Sequence, residues 1–203
     1  MRRFFAFLAL LLCAFAAPAA DLAAAVKQQL VQAPVLRGEF EQRKQVQGFS
    51  KPLVSRGRFV VARERGVLWT TLAPFASELR LTRDEIVATQ AGGAVAFRLD
   101  AAKEPSVRVI NGLMFSLLNG EVNGLMELFK VDGSADAKGW KLVLVPKQAA
   151  LAKLMSGIEL AGDSHVRSIR IDEANGDRTL IAFSAQSVEP PRLSADEAKK
   201  FDQ

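Results

Sequence analysis

The chain has 203 residues, with 27 Lys and Arg against 22 Asp and Glu, one His, one Cys and no Tyr. That length supports one domain with a core of its own. A net charge of +5 is too mild to argue for nucleic acid, and a lone cysteine excludes an internal disulfide and a multi-cysteine metal site.

Arg2 and Arg3 precede an unbroken apolar run over residues 4–17, followed by the small residues Ala17, Pro18, Ala19 and Ala20. This is the order of a secretory signal peptide. The run falls short of the roughly 20 residues of a membrane-spanning helix. The expectation is a signal peptide over 1–19, cut after Ala19, and a single exported domain over 20–203. Cys13 lies inside the leader and follows Leu12 rather than the small residue that lipid attachment favours. The mature chain then lacks cysteine, which excludes thiolate catalysis, and carries 25 basic residues against 22 acidic ones.

Asp21 stands where a helix N-cap would, and Leu22, Val26, Leu30 and Val31 follow at helical spacing, predicting a short amphipathic helix that ends near Gln32. From Val35 the period becomes two. Leu36, Phe40 and Val46 share one face, with Arg37, Glu39, Glu41 and Arg43 on the other. The alternation returns in Phe59 and Val61, Val67 and Trp69, Leu79 and Leu81, and Val95, Phe97 and Leu99. Residues 107–118 place Ile110, Leu113, Met114, Leu117 and Leu118 on one helical stripe, read as an apolar helix inserted between sheet halves. Strands resume with Trp140, Leu142 and Leu144; residues 149–155 read as a short helix or a loop. Ile158 and Leu160, Ile169 and Ile171, and Thr179, Ile181 and Phe183 mark the last strands, with Asn175-Gly176 as a tight turn in which both residues can take positive backbone angles. The fold class expected is mainly β with short helices, an antiparallel sheet with one dry and one wet face.

The residues offer little chemistry. His165 is the only histidine and, beside Gly162-Asp163, reads as an exposed loop residue. Ser164 next to it is no catalytic pair, because neighbours on a strand point to opposite faces. Asp172, Glu173 and Asp177 read as solvated turn carboxylates, Gly92-Gly93 as a hairpin turn, and Arg56, Arg58, Arg63 and Arg65 as a solvated basic face. No catalytic group, metal site or cofactor is expected. The apolar helix reads either as the closure of an ordinary core or as a lid over a lipid cavity.

The segment GRFVVARERGVLWTTLAP over residues 57–74, with Gly57, Arg63, Trp69 and Pro74 at matching offsets, resembles the periplasmic outer-membrane lipoprotein carrier (LolA) family. Phe40-Glu41-Gln42, the stretch from Gly139 on to Pro146, and the hairpin at Asn175-Gly176 fit the same pattern. The resemblance implies an open, incomplete antiparallel β-barrel with helices covering its concave apolar face. It implies a monomeric periplasmic, non-enzymatic carrier that takes acylated lipoproteins from an inner-membrane ABC-type or other lipid exporter to an outer-membrane receptor. It implies lipid contacts at Phe40, Phe59, Val67, Trp69, Leu79, Leu113, Met114 and Leu117, with Arg63 anchoring the lid. Glu64 replaces the Pro that usually follows the arginine, and Arg83-Asp84-Glu85 replaces an Asp-Gly turn; the chain also stops before the C-terminal extension some members carry. A carrier of another acylated lipid or glycolipid, or a non-enzymatic periplasmic adaptor domain, therefore stays open.

Overall fold

In a computed structural model, which describes residues 19–104, 107 and 122–202, the period-two runs form eleven antiparallel strands. These are β1 (Val35–Gln45), β2 (Leu53–Ala62), β3 (Gly66–Ala73), β4 (Ser77–Leu81), β5 (Glu85–Gln90), β6 (Val95–Asp100), β7 (Phe129–Asp136), β8 (Gly139–Pro146), β9 (Met155–Gly162), β10 (Val166–Glu173) and β11 (Arg178–Ser187). The helices are α1 (Ala19–Gln29), α2 (Val122–Leu128), α3 (Ala149–Ala152) and α4 (Ala195–Phe201). None of the described helices is long and apolar enough to cross a membrane.

All strands join one sheet in the order β6-β5-β4-β3-β2-β1-β11-β10-β9-β8-β7. The first strand therefore sits in the middle, paired on one side with β2 and on the other with the last strand, β11. Among the described residues β6 and β7 end the sheet without pairing to each other, so it is an open barrel. Their separation forces the chain between them from one edge to the other. Val107 and Leu125, on either side of that passage, are both buried on the inner face. Residues 110–118, including Leu113, Met114 and Leu117, lie outside the described residues, as do residues 1–18 of the segment read as a signal peptide.

The inner face carries two apolar clusters. Leu22, Ala23 and Val26 of α1 and Leu125 of α2 fill the half built by β7–β10, against Phe129, Trp140, Leu142, Leu144, Ile158 and Leu160. Phe59, Val61, Val67, Leu81 and Ile86 form the other cluster, on β2–β5, with Val107 packed on it. Two strands carry little period-two signal. In β5, Ile86 and Val87 are both buried, so the strand is dry on both faces. β7 is broken in pattern by Gly133 and Ser134 and lies at an edge.

Several local expectations need correction. α1 begins at Ala19, which puts Asp21 inside the helix rather than at its cap, and ends at Gln29, three residues early. The early end has a cause: the amide of Val31 donates to the carbonyl of Ser164 at 2.9 Å instead of continuing the helix. At the β10–β11 turn only Gly176 has a positive φ, 90°. The connection is a three-residue loop with glycine in the left-handed position. Of the carboxylates beside it, Asp177 is buried and Asp172 and Glu173 are half-buried in ion pairs rather than free in solvent. Lys44 bonds Glu173 at 2.7 Å and pairs with Asp177 at 3.3 Å, while Asp177 accepts the Gln47 amide at 2.9 Å and is buried. These groups fasten the β1–β2 loop to the last hairpin. Gly92-Gly93 does form the β5–β6 turn, with φ of 96° and 84°.

Apart from the buried Arg80 and Val87 on β4 and β5, the outer face is dry chiefly under α4. Phe201 and Leu193 cover Ala62, Leu68 and Val60, and Arg65 pairs with Asp202 while its guanidinium lies 5.7 Å from the Phe201 ring centre. Arg37 holds this segment with two bonds to Glu197, at 2.8 and 2.6 Å, and one each to the Pro190 and Arg192 carbonyls, at 2.7 and 3.0 Å. The Arg37 hydrogen bond is the main reason Glu197 falls from 4.5 to about 2. A carboxylate lowered on folding stabilises fully above pH 4.5, and that contribution is lost as pH falls toward about 2. Protection of the α4 amides, measured against the intrinsic exchange rate at each pH, is expected to fall between pH 5 and pH 3, well before the sheet melts. Arg37→Ala is expected to give the same loosening at neutral pH and to cost roughly 2 kcal/mol. Equal protection of α4 in both proteins would refute this.

Candidate functional site

Cross-strand register assembles the site. On the inner face Leu36, Val61, Val67, Leu81, Ile86 and Leu99 stand opposite one another in one row from β1 to β6. The next row is Gly38, Phe59, Trp69, Leu79, Ala88 and Phe97. The rows stay apolar to the edge, where Phe97 and Leu99 become 46% and 37% exposed. Two glycines make room for the large rings. A Cβ on Gly38 would lie 2.6 Å from the Phe59 ring, and one on Gly57 would lie 2.7 Å from the Phe40 ring and 2.0 Å from the Thr70 carbonyl oxygen. Phe40 can then stack on Trp69 at a centroid distance of 3.7 Å. Phe183 of β11 meets Phe59 and Trp69 edge-on at 5.3 and 6.1 Å.

Between the two clusters is a cavity of about 60 Å³ with a mainly apolar wall. Phe59, Val67 and Trp69 line it, together with Leu36, Val61, Ile169 and Phe183 from the sheet. Leu30, Val31 and Gln32, the exit of α1, close it from above. Phe40 lies behind Trp69, buried, and Leu79 is half-buried on β4, directly opposite Trp69 on the same face. Arg63 is half-buried in the β2–β3 turn, where its amide donates to the Pro34 carbonyl at 3.0 Å. It borders a separate groove with Gln32 and Pro34, beside the segment that closes the cavity.

The β9–β10 turn and the first residue of β10 supply wall residues that period counting does not reveal: Ser164, His165 and Val166. His165 is not an exposed loop residue. Its Nε2 is buried and, among the described residues, is the one buried side-chain polar atom with no hydrogen-bond partner. Burial lowers its pKa, with the Arg167 charge adding to the effect, so the ring is neutral at neutral pH. Burial alone would raise Asp163, but hydrogen bonds from Arg167 and from the His165 amide outweigh it and the group stays ionised. Ser164 and His165 belong to the turn rather than to a strand, and Ser164 Oγ lies 3.1 Å from His165 Nδ1. This is still no nucleophilic triad. Asp163 bonds Ser164 and the His165 backbone amide, not the imidazole, so it neither orients the ring nor stabilises its cation. Leu36, Ile169 and Phe183 could be found from alternation; the cavity role of His165 could not.

Residues 15–198 match the family described as outer membrane lipoprotein carrier protein, LolA-like. The chain belongs to that family. Membership supports a lipid- or lipoprotein-binding, carrier-type role. A LolA superfamily protein from Nitrosomonas europaea has a similar fold, at 9% identity over 93% of this chain and 99% of that one, with a TM-score of 0.50. A DUF1329 family protein from Desulfovibrio piger ATCC 29098 covers 86% of this chain and 93% of its own at 12% identity, with a TM-score of 0.49. No curated protein matches significantly.

Proposed function

We propose that this LolA-like protein is a periplasmic carrier that shields the acyl chains of lipoproteins on its inner face and moves them from the inner to the outer membrane. An inner-membrane ABC-type or other lipid exporter loads it and an outer-membrane receptor unloads it; residues 1–19 direct export. The observation that carries this reading is the apolar cavity at the centre of the open sheet, walled by Phe59, Val67 and Trp69 and closed by the exit of α1. In this reading Phe40 and Leu79 extend the lipid surface, and Leu113, Met114 and Leu117 complete the cover.

Each methylene removed from water contributes about 0.8 kcal/mol, so a 16-carbon chain represents on the order of 10 kcal/mol of burial. The 60 Å³ cavity is smaller than the roughly 150 Å³ that accepts a benzene ring. Loading therefore requires the cover to move aside, exposing the apolar rows that run out to β6. Arg63, placed beside Gln32 and Pro34, anchors that cover in its closed position. Removing the anchor destabilises the empty, closed state. Arg63→Leu is expected to retain acyl cargo roughly two- to tenfold more tightly and hand it on correspondingly more slowly, the equivalent of one hydrogen bond. Unchanged transfer in a reconstituted handover assay would remove Arg63 from the role.

The direct test is native mass spectrometry of the mature protein purified gently from periplasm, followed by lipid extraction. A stoichiometric acylated species supports the carrier and names its cargo. Protein that stays empty even when offered lipoprotein or phospholipid rejects it.

A further inference from the structure

The cavity wall is apolar except where the β9–β10 turn and its neighbours bring in Ser164, His165, Gln32 and Gln186. Gln186 is committed: its amide nitrogen donates to the Val166 carbonyl at 3.0 Å, and its oxygen accepts from Arg167 at 2.6 Å. Ser164 is committed as well. A hydroxyl has one proton; Ser164 Oγ lies 3.3 Å from Asp163 Oδ1 and 3.1 Å from His165 Nδ1, and with that proton directed at the carboxylate its oxygen meets the imidazole as an acceptor. The ring proton then sits on Nδ1. Nε2 is left as a bare lone pair, buried and without a partner, on a ring that borders the cavity. Such an atom is costly to leave unpaired, and a chain of pure hydrocarbon would leave it so.

Resting on the carrier reading, we infer that the acyl cargo presents a hydrogen-bond donor to His165 Nε2, a hydroxyl or an amide N–H close to the chain. This selects a hydroxylated or amide-linked acyl group over a simple ester-linked one. An ionised carboxylate, which offers acceptors only, does not fit. The apolar wall supplies affinity for any chain, and His165 supplies the choice among chains, because a site built for a hydrogen bond discriminates against the analogue that lacks it.

The test is competition for the mature protein among methyl tetradecanoate, methyl 3-hydroxytetradecanoate and N-methyltetradecanamide at equal concentration, with the bound fraction quantified by mass spectrometry. Although the hydroxyl and the amide prefer water, both are expected to bind at least as well as the plain ester. In His165→Phe, which keeps an aromatic ring but no acceptor, the ratio of donor-bearing to plain ligand is expected to fall about tenfold. His165→Gln, which restores an acceptor, is expected to recover much of it. The hydroxy ester and the amide report separately which donor the site prefers. A wild-type preference for the plain ester, or a ratio unchanged in a folded His165→Phe, overturns the inference and leaves the carrier standing. Failure of all three ligands to bind overturns the carrier reading and this inference together.

Discussion

Gly57→Ala is expected to cost about 3 kcal/mol, near the upper end of ordinary overpacking, and to lower the melting temperature by roughly 6–12 °C for a domain of this size. The added Cβ would fall 2.0 Å from the Thr70 carbonyl oxygen and 2.7 Å from the Phe40 ring. The first contact is with backbone, which cannot swing aside without breaking the β2–β3 pairing of Arg58 with Thr70 and Gly57 with Thr71. The second pushes Phe40 off Trp69, whose rings stack at 3.7 Å. Thermal melts with near-ultraviolet dichroism check both effects, since loss of the stack removes aromatic signal. A substitution with the wild-type melting temperature would mean that β2 and β3 are not held as described. Gly48, where an added Cβ would meet no atom within 4 Å but φ is 85°, supplies a contrast in which only backbone strain acts.

A disulfide between cysteines placed at Val31 and Ser164 is expected to abolish acyl binding, and reduction to restore it. The Val31 amide already donates to the Ser164 carbonyl at 2.9 Å, which brings the exit of α1 against the β9–β10 turn. Leu30, Val31 and Gln32 roof a cavity of only about 60 Å³, so a bond that fixes the roof leaves no room for a chain. The sole native cysteine, Cys13, lies in the segment read as a leader, and residues 20–203 carry no competing thiol. Binding of a fatty ester before and after dithiothreitol reads the result. Full binding by the oxidised protein would show that chains enter elsewhere, such as from the β6 edge, and that the α1 exit is not the moving part.

Strand positions were legible wherever one face is wet. Phe40 and Ile169 stand between charged or polar neighbours, Phe59, Trp69, Leu142 and Phe183 have one such neighbour each, and each lies in the strand expected of it. β5 was not, because Ile86 and Val87 are buried on opposite faces, and β7 was not, because Gly133 and Ser134 erase the pattern at an edge. The turn glycines at 92, 93 and 176 were visible because a positive φ excludes most side chains. Lys44 with Glu173 and Asp177 was invisible, since it joins residues about 130 apart.

The family pattern carried by Gly57, Arg63, Trp69 and Pro74 likewise lies within a contiguous stretch. What a local sequence determines here is the period of each strand, the handedness of each turn and the kinship of the whole. Only the tertiary structure decided that β1 stands between β2 and β11, that α1 stops at Gln29 because Val31 bonds Ser164, and that a turn histidine comes to border an apolar cavity with its Nε2 unpartnered. The reason is physical. Alternation reports which side of a strand is dry, but the closure of a sheet and the environment of a single imidazole depend on contacts between residues far apart in the chain, and no local period encodes those.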